Sequence, residues 1–259
     1  MKAIIPAAGH GTRFLPVTGV VPKEMLPIGA KPALELIVDE AKSAGADEVV
    51  LVISRGKELI RAYFEGDPSI RFVYQEEQRG LGHAVMTGLE ALEPPAAGGD
   101  RQASLVLVLL GDALVAGCNA AQEMVAFSAA HGGAGVVGLE RVPAEKVSRY
   151  GIVKCEGERI VDLVEKPRPE DAPSDLAIAG RYLLDAAILG YLRTQTPGKG
   201  GEIQLTDAIR RMVMGDRPPS VRPSPFTFHL YGYVYPGRRQ DIGNPKGYFD
   251  ALKAMGANE

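Results

Sequence analysis

Several residue types and patterns that mark large protein classes are scarce in this sequence of 259 residues. Two cysteines, Cys118 and Cys155, and four histidines occur in the chain. This excludes a disulfide-stapled scaffold, and the spacing offers no structural zinc site. The net charge of −3 includes no basic excess, which argues against a nucleic-acid partner. An anionic ligand would have to be held by local basic groups.

Long apolar runs are also absent. The longest, from Leu105 to Leu110, ends at Gly111-Asp112 and is far too short to cross a bilayer. The N-terminal run, Met1 to Pro6, is too short for a signal peptide. We therefore expect a cytoplasmic protein without a membrane partner.

The first half of the chain alternates between two hydrophobic patterns. Short apolar runs predict strands at Lys2–Pro6, Glu48–Ile53, Ile70–Tyr74 and Ser104–Leu110. Longer stretches with helical spacing predict helices at Pro32–Ala44, Lys57–Phe64, Gly82–Leu92 and Asn119–His131. A repeated strand–helix order predicts a parallel sheet with helices on both faces. The strand that ends at Leu110 is apolar on both faces, which is typical of a central parallel strand.

The second half is more mixed. Predicted strands are Gly135–Leu139, Gly151–Cys155, Arg159–Val164, Ala177–Leu183 and Thr227–Tyr235, and predicted helices are Ile203–Val213 and Pro245–Met255. Asn244-Pro245 is typical of an N-cap followed by proline in the first helical turn. The whole pattern predicts one α/β domain over residues 1–259. Its central sheet is expected to be Rossmann-like, mixed but mostly parallel, and flanked by helices.

A glycine-rich segment, Ala7 to Pro16, follows the first predicted strand. This is the position where a parallel sheet places its ligand crevice. Gly9 and Gly11 permit close backbone approach to a phosphate. The segment is not a P-loop, and Phe14 replaces the third glycine of the dinucleotide fingerprint. The glycines alone are better explained by a simple tight turn.

Two cations near this turn favour a phosphate site. Arg13 lies within the turn, and Lys23 lies in the following segment Pro22-Lys23-Glu24-Met25-Leu26-Pro27. Either cation alone would be interpreted as a solvated surface residue. Together they could neutralise the charge that develops when a nucleotidyl group is transferred.

These two segments resemble the signature of the sugar-1-phosphate nucleotidyltransferase family. The Lys-Glu-Met-Leu-Pro form is similar to that of its bacterial UTP–glucose-1-phosphate uridylyltransferase branch. Further segments of similar type and order are Gln75 with Gly80–Val85, Gly111-Asp112, Tyr150-Gly151, Val164–Pro167, Gly180–Tyr182, Gly201–Ala208 and Asp241–Asn244. Several collinear motifs are a stronger signal than any one of them.

The resemblance implies a nucleotide site and a metal site. It gives Gln75, Gly80 and the backbone near Ala8 the uracil-binding role, and the Gln75 amide can both donate and accept hydrogen bonds. It marks Asp112 and Asp241 as ligands of Mg²⁺, which favours carboxylate oxygens. By residues alone, Asp112 could instead be an N-cap, and Asp241 could belong to a turn before the last helix.

The resemblance also implies a sugar site. Lys166 would hold the sugar phosphate as a point charge, and Glu165 would accept hydrogen bonds from sugar hydroxyls. Gly151, Ala179 and Gly180 would complete the pocket. Without the resemblance, Glu165 and Lys166 are equally typical of an exposed ion pair before a turn.

The implied reaction joins UTP to glucose 1-phosphate and releases pyrophosphate. Phosphate is already a competent nucleophile, so the reaction needs positioning and charge neutralisation by Mg²⁺, Arg13, Lys23 and Lys166. No Ser-His or Cys-His set accompanies these residues. His83 could be mistaken for a catalytic base, but we interpret it as a residue with a structural role at a helix start.

Two departures from the family pattern concern substrate identity and assembly. Gly19 stands where relatives usually carry lysine, and the segment Arg61–Phe72 lacks a longer helical insertion. The alternatives left open are a thymidylyltransferase, a nucleotidyltransferase for another sugar 1-phosphate, and a non-catalytic binding or regulatory subunit. A dinucleotide-dependent oxidoreductase is disfavoured by the incomplete fingerprint. The family resemblance makes a homo-oligomer the expected assembly.

Overall fold

A computed structural model describes residues 1–92, 105–219, 221 and 229–255. Its strands are β1 Lys2–Pro6, β2 Pro27–Ile28, β3 Lys31–Pro32, β4 Glu48–Ile53, β5 Ile70–Tyr74, β6 Leu105–Leu109, β7 Ala113–Ala116, β8 Gly135–Arg141, β9 Gly151–Glu156, β10 Arg159–Glu165, β11 Leu176–Asp185, β12 Leu230–Val234 and β13 Arg238–Asp241. Its α-helices are α1 Ala33–Ser43, α2 Glu58–Phe64, α3 Leu81–Ala91, α4 Ala120–Ala130, α5 Ile188–Arg193, α6 Leu205–Val213 and α7 Pro245–Met255. The expected strand starts at Ser104 and Thr227 lie outside the described residues.

The central sheet has nine strands in the order β5-β4-β1-β6-β11-β8-β12-β10-β9. From β5 to β6 the neighbouring strands are parallel, which confirms the reading of the first half. Beyond β6, antiparallel pairs join β11 to β6 and β8, and β10 to β12 and β9. The mixed α/β sheet is confirmed, but parallel pairing prevails only on one side. Short connections such as the turn at Gly157 make neighbouring strands antiparallel.

Apolar side chains cover both faces of the sheet. On β1, Ala3 and Ile5 join one buried cluster with α1 and α4, whereas Ile4 joins another with α3 and α6. This alternation follows from the two-residue period of a strand. The carboxyl ends of β1, β4, β5 and β6 consequently meet at one edge between the helices. None of the helices in the described ranges is both long and apolar enough to span a membrane.

A small two-stranded sheet, which the sequence did not predict, lies beside this edge. Strand β7 pairs antiparallel with β13, and Asp241 stands opposite Ala113. Asp112 therefore belongs to the turn between β6 and β7, and Asp241 is the last residue of β13 rather than part of a turn. The helix that follows has the expected cap, because Asn244 Oδ1 accepts the N–H of Gly247 at 3.0 Å.

Candidate active site

The glycine-rich turn after β1 is built around Gly11. Gly11 has a φ of 66°, and its carbonyl accepts a hydrogen bond from Thr18 Oγ1 at 2.8 Å. A Cβ at Gly11 would lie 3.0 Å from Thr18 Cγ2 and 3.6 Å from Lys23 Cγ. The positive φ and the close approach of Thr18 therefore favour glycine here, and the stem of Lys23 runs at ordinary contact distance from the turn. Gly9, in contrast, faces open space, where the backbone is free to approach a ligand.

Lys23 reaches from this turn to the end of β6. Its Nζ lies 2.5 Å from Asp112 Oδ2, and the Lys23 side chain is 10% exposed while that of Asp112 is 38% exposed. Burial by itself would lower the pKa of Lys23, but the charges of Asp112 and Glu24 raise it on balance. Burial would likewise raise the pKa of Asp112, but Lys23 holds it below its ordinary value. The pair is therefore an ammonium and a carboxylate at neutral pH.

Asp241 approaches Asp112 across a glycine. Asp241 Oδ1 accepts the N–H of Gly243 at 2.8 Å, and the N–H of Ile242 bonds to the carbonyl of Asp112 at 2.9 Å. A Cβ at Gly243 would lie 2.9 Å from Asp241 Oδ1 and 3.3 Å from Asp112 Oδ2. The small sheet thus brings the two carboxylates around one point.

This donor set fits a hard divalent cation. Mg²⁺ is commonly bound by one or two carboxylates, with water and substrate phosphate as the remaining ligands. Within the described ranges, no group of three or more His, Cys, Asp or Glu residues surrounds one point. Two carboxylates beside a phosphate-type turn are therefore the arrangement expected for a metal that arrives with a nucleotide.

A buried ion pair beneath the turn was missed by sequence reasoning. Lys57 Nζ donates to the carbonyl of Ala7 at 2.6 Å and to both carboxylate oxygens of Glu24 at 2.9 Å. Desolvation lowers the pKa of Lys57 and raises that of Glu24, although each partner opposes the shift of the other. The pair ties the strand end at Ala7 to the segment that carries Lys23. A lysine in the connection between β4 and α2 was the available signal, but nothing in the sequence marked it as buried.

The residues expected to bind the base meet at the end of β5. Gln75 is 3% exposed, and its Nε2 lies 3.3 Å from the carbonyl oxygen of Gly80. The same nitrogen lies 3.0 Å from His83 Nδ1. A Cβ at Gly80 would lie 2.6 Å from Glu202 Cβ, so this position requires glycine. The arrangement brings Gln75 and Gly80 together as expected and adds His83.

The residues expected to bind the sugar meet where β9 and β10 pair. Gly151 stands opposite Glu165, and a Cβ there would lie 3.2 Å from Glu165 Oε2 and 3.0 Å from Thr206 Oγ1. Thr206 Oγ1 donates to Glu165 Oε2 at 2.7 Å, and Lys166 Nζ lies 3.2 Å from Glu165 Oε1. Glu165 is thus held at both oxygens. Thr206 was not singled out from the sequence, because it is distant along the chain.

Lys166 has an unusual backbone for its residue type. Its φ is 46°, and among the described residues no other non-glycine residue has a positive φ. Its N–H donates to the carbonyl of Tyr150 at 2.9 Å, and its own carbonyl accepts from Lys199 Nζ. Such left-handed backbone is strained for a side chain with a Cβ and is concentrated at functional sites. The turn aims the Lys166 side chain independently of β10.

Ala179 and Gly180 lie at an irregularity in β11. The pairing of β11 with β8 shifts register between Ile178 and Tyr182, and Gly180 has a φ of 80°. The carbonyl of Gly180 accepts the N–H of Leu110 at 3.0 Å. This contact places the expected sugar-pocket backbone beside the strand end that leads to Asp112.

The remaining expected residues differ in how firmly the protein holds them. Ala8 is buried at the strand end, at 3% exposure. Arg13 is exposed on the short helical turn Thr12–Phe14. Within the described part of the chain, no hydrogen bond or ion pair joins Arg13 to another residue. The fold brings Lys23, Asp112 and Asp241 together, but it leaves Arg13 at the surface of the turn.

Comparisons with known proteins agree with this arrangement. Residues 2–258 match the family described as nucleotidyl transferase. The chain is 38% identical over 279 aligned residues to a UTP–glucose-1-phosphate uridylyltransferase of Staphylococcus haemolyticus (strain JCSC1435), covering 95% of this chain and 89% of that one. It is 36% identical to a UTP–glucose-1-phosphate uridylyltransferase of Bacillus subtilis (strain 168), covering 98% and 89%.

The chain is also similar to solved structures of this kind of enzyme. The chain is similar to a UDP-glucose pyrophosphorylase complexed with UDP-glucose, with a TM-score of 0.82, 34% identity, and coverage of 98% of this chain and 97% of that one. A UTP-bound UGPase from Acinetobacter baumannii has a TM-score of 0.77 at 31% identity, with coverage of 100% and 94%.

Proposed function

This chain belongs to the nucleotidyl transferase family, and from that membership and its site geometry we propose that it transfers a uridylyl group from UTP to glucose 1-phosphate. The products are UDP-glucose and pyrophosphate. The curated relatives carry this activity in their names, and the similar solved structure holds UDP-glucose. The observation that carries the proposal is the convergence of Lys23, Asp112 and Asp241 beside the glycine-rich turn.

The reaction is an in-line displacement at phosphorus. An oxygen of the sugar phosphate forms a bond to the α-phosphorus of UTP, and the bond from that phosphorus to the α–β bridging oxygen breaks. Pyrophosphate leaves with the electron pair, so no proton has to be removed from the nucleophile. The protein contributes positioning and charge neutralisation.

The charged side chains divide this work. Lys23 is pre-aligned beside the turn by Asp112, and it neutralises charge on the triphosphate. Lys166 holds the phosphate of the sugar, while Glu165 accepts hydrogen bonds from the sugar hydroxyls. Arg13, which no other residue in the described ranges holds in place, closes on the departing pyrophosphate. Gln75 and Gly80 bind the base at the opposite end of the cleft.

Asp112 and Asp241 would hold the divalent cation, which we propose to be Mg²⁺. When bound, the cation supplies charge stabilisation to the phosphate oxygens. The turn between β6 and β7 and the last residue of β13 fix the two carboxylates in place. The homo-oligomeric assembly expected from the family stays a prediction, as does the single-domain organisation.

Pyrophosphate release tests the proposal directly. The protein is incubated with glucose 1-phosphate, Mg²⁺ and one nucleotide from UTP, dTTP, CTP, ATP and GTP. We expect rapid release with UTP, loss in a chelator, and a fall of about 100-fold or more in Asp112→Asn, because a carboxylate ligand is lost. Release with dTTP alone would support the nucleotidyl-transfer reaction but contradict the assignment of UTP as its nucleotide. No release with any nucleotide or sugar 1-phosphate would favour a binding subunit.

A further inference from the structure

His83 stands in the first turn of α3, beside the side chain of Gln75. Its Nδ1 lies 3.0 Å from Gln75 Nε2, and the imidazole is half-buried. The distance is that of a good hydrogen bond. The sequence suggested only a helix-start role for this histidine, but the contact gives it a direct effect on the orientation of a neighbouring amide.

A second acceptor fixes which end of the amide faces His83. The carbonyl oxygen of Gly80, 3.3 Å from the same amide nitrogen, can only accept a hydrogen bond. The amide nitrogen is therefore the group that lies between Gly80 and His83. It follows that His83 Nδ1 accepts, and that the ring proton of the neutral imidazole is on Nε2.

This orientation leaves the amide oxygen of Gln75 for a ligand. In the described part of the chain, no donor contacts Gln75 Oε1. Tyr235 Oη is the one fully buried side-chain polar atom there that lacks a partner, so Gln75 Oε1 is not fully enclosed by the protein. Rotating the amide by half a turn would place this oxygen against the Gly80 carbonyl. That rotation would leave two acceptors facing each other without a proton.

We propose that His83 is a positioning residue that makes Gln75 present a hydrogen-bond acceptor, and not a donor, to the pyrimidine. This inference rests on the proposed function, which places a pyrimidine at Gln75. Uracil and thymine carry a proton on N3 and can donate to Oε1. Cytosine has a lone pair on N3, which would face the oxygen of Gln75. The contact between His83 and Gln75 would therefore select uracil-type bases over cytosine.

The selection is expected to be large. A site built to hydrogen-bond one group rejects an analogue that leaves a buried polar atom unpaired, by about 10²-fold or more. Without the acceptor at position 83, only the Gly80 carbonyl would hold the Gln75 amide nitrogen. The amide would then turn more freely and could offer its nitrogen to N3 of cytosine. The loss of discrimination should then appear in the ratio of kcat/KM for UTP to kcat/KM for CTP, and not in the binding of glucose 1-phosphate.

The test compares variants that differ in one acceptor. His83→Leu and His83→Phe remove it, whereas His83→Asn keeps an acceptor oxygen near the position of Nδ1. His131→Leu is the matched control, because this histidine also makes hydrogen bonds but lies at the end of α4, against Phe127 and Glu158. For each protein kcat/KM is measured with UTP and with CTP, and the affinities for UDP and CDP are measured by calorimetry. Thermal unfolding shows which variants are folded.

We expect the wild-type protein to prefer UTP over CTP by about 100-fold or more. His83→Leu and His83→Phe should reduce this ratio by about 10-fold, which corresponds to about 1.4 kcal/mol. His83→Asn should stay within about 3-fold of the wild type. The KM for glucose 1-phosphate should stay the same in all variants, and His131→Leu should behave as the wild type.

An unchanged UTP-to-CTP ratio in either folded acceptor-free variant would overturn the inference while leaving the proposed reaction intact. Equal affinity of the wild type for UDP and CDP would also overturn it. If the wild type releases no pyrophosphate but binds UDP in preference to CDP, and this preference falls in His83→Leu, the proposed reaction fails and the role of His83 stands.

Discussion

Single residues in this protein act largely through the partners that hold them. Lys57 and Glu24 are both nearly inaccessible, with side chains 8% and 2% exposed. Buried charges are tolerated when they are paired and hydrogen-bonded. Here the Lys57 ammonium has three oxygen partners, so removing either member would leave an uncompensated charge under the catalytic turn.

Thr206 is the residue whose role is most directly testable at this scale. Thr206→Val keeps the size of the side chain but removes the donor to Glu165 Oε2. We expect the KM for glucose 1-phosphate to rise by about 10-fold, because a partly buried carboxylate loses one hydrogen bond, while the KM for UTP changes little. Steady-state kinetics with each substrate varied in turn measures this.

Two further variants serve as controls for Thr206→Val. Thr206→Ser retains the hydroxyl and should restore the KM for glucose 1-phosphate. Thr194→Val removes a threonine hydroxyl at the end of α5 that donates to the carbonyls of Gly190 and Tyr191 and accepts from Arg211 Nη1. This change should have no effect on either KM. If the KM for glucose 1-phosphate is unchanged in Thr206→Val, the role of Thr206 in holding Glu165 for the sugar is contradicted.

At the scale of elements, buried polar contacts fix the connections that carry the site. Arg181 on β11 is fully buried and donates to both oxygens of Glu40 on α1 and to the carbonyl of Ala113 on β7. One side chain therefore joins the main sheet, a covering helix and the small sheet. Because β7 begins directly after Asp112, this contact also holds the backbone next to that carboxylate.

The short connection between α2 and β5 is closed by Asp67. Its Oδ1 accepts from the N–H and the hydroxyl of Ser69 at 3.0 and 2.6 Å, and Lys42 pairs with Oδ2. These contacts, led by Lys42, lower the pKa of Asp67 to about 2. The connection lies in the segment that the family comparison predicted to be short.

The Asp67 contacts predict a pH-dependent contribution to stability. Since the folded-state pKa is lowered, the contribution is complete above the unfolded value of about 3.9 and is lost as the pH falls towards 2. Asp67→Ala should reduce the free energy of unfolding by about 1 kcal/mol at pH 7, because solvent screens this partly exposed pair. The difference from the wild type should shrink below pH 4. Urea unfolding at pH 7, 4.5 and 3 measures both.

Asp250→Ala serves as a control for the loss of an aspartate. Asp250 pairs with Lys246 on the exposed face of α7, where an ion pair contributes little, so we expect a much smaller change. A difference between Asp67→Ala and the wild type that stays constant down to pH 3 would contradict the assigned role.

At the scale of the whole molecule, the second half of the chain closes on the first. The N–H of Gly82 bonds to the carbonyl of Ile203 at 2.8 Å, and the N–H of Ile203 bonds to the carbonyl of Arg79 at 2.7 Å. The segment around Ile203 then leads to Thr206, which holds Glu165. The turn proposed to bind the base and the strands proposed to bind the sugar are thus joined by one continuous stretch of chain.

Ligand that bridges the two halves should stabilise the whole fold. UDP-glucose with Mg²⁺ at about 100 times its Kd should add about 2.7 kcal/mol. For a chain of this size that corresponds to a rise in Tm of about 5–10 °C. Thermal unfolding with and without ligand measures the shift. The ligand-induced shift in Tm should be markedly smaller in Asp112→Asn. A wild-type Tm that does not change with saturating ligand would contradict binding at this site.

The sequence by itself determined the alternation of strands and helices, the apolar central strand and the identity of most candidate site residues. Those features depend on local periodicity, on glycine at tight turns and on motifs that lie along the chain. The predicted strands Lys2–Pro6, Glu48–Ile53 and Ile70–Tyr74 agree with β1, β4 and β5. The N-cap at Asn244 is equally local and was confirmed.

Only the tertiary structure decided which distant residues share a contact. Pairing of β7 with β13 brings Asp241 to Asp112, and the fold places Lys57 under Ala7, Thr206 against Glu165, and His83 against Gln75. Apart from the hairpin of β9 and β10, the antiparallel pairs beyond β6 also depend on pairing between strands that are distant in the chain. The family resemblance had already implied that Asp112 and Asp241 act together. The contacts of Lys57 with Ala7 and of Thr206 with Glu165 join residues far apart in the chain and exist only after the sheet has aligned them, which is why they were not predicted.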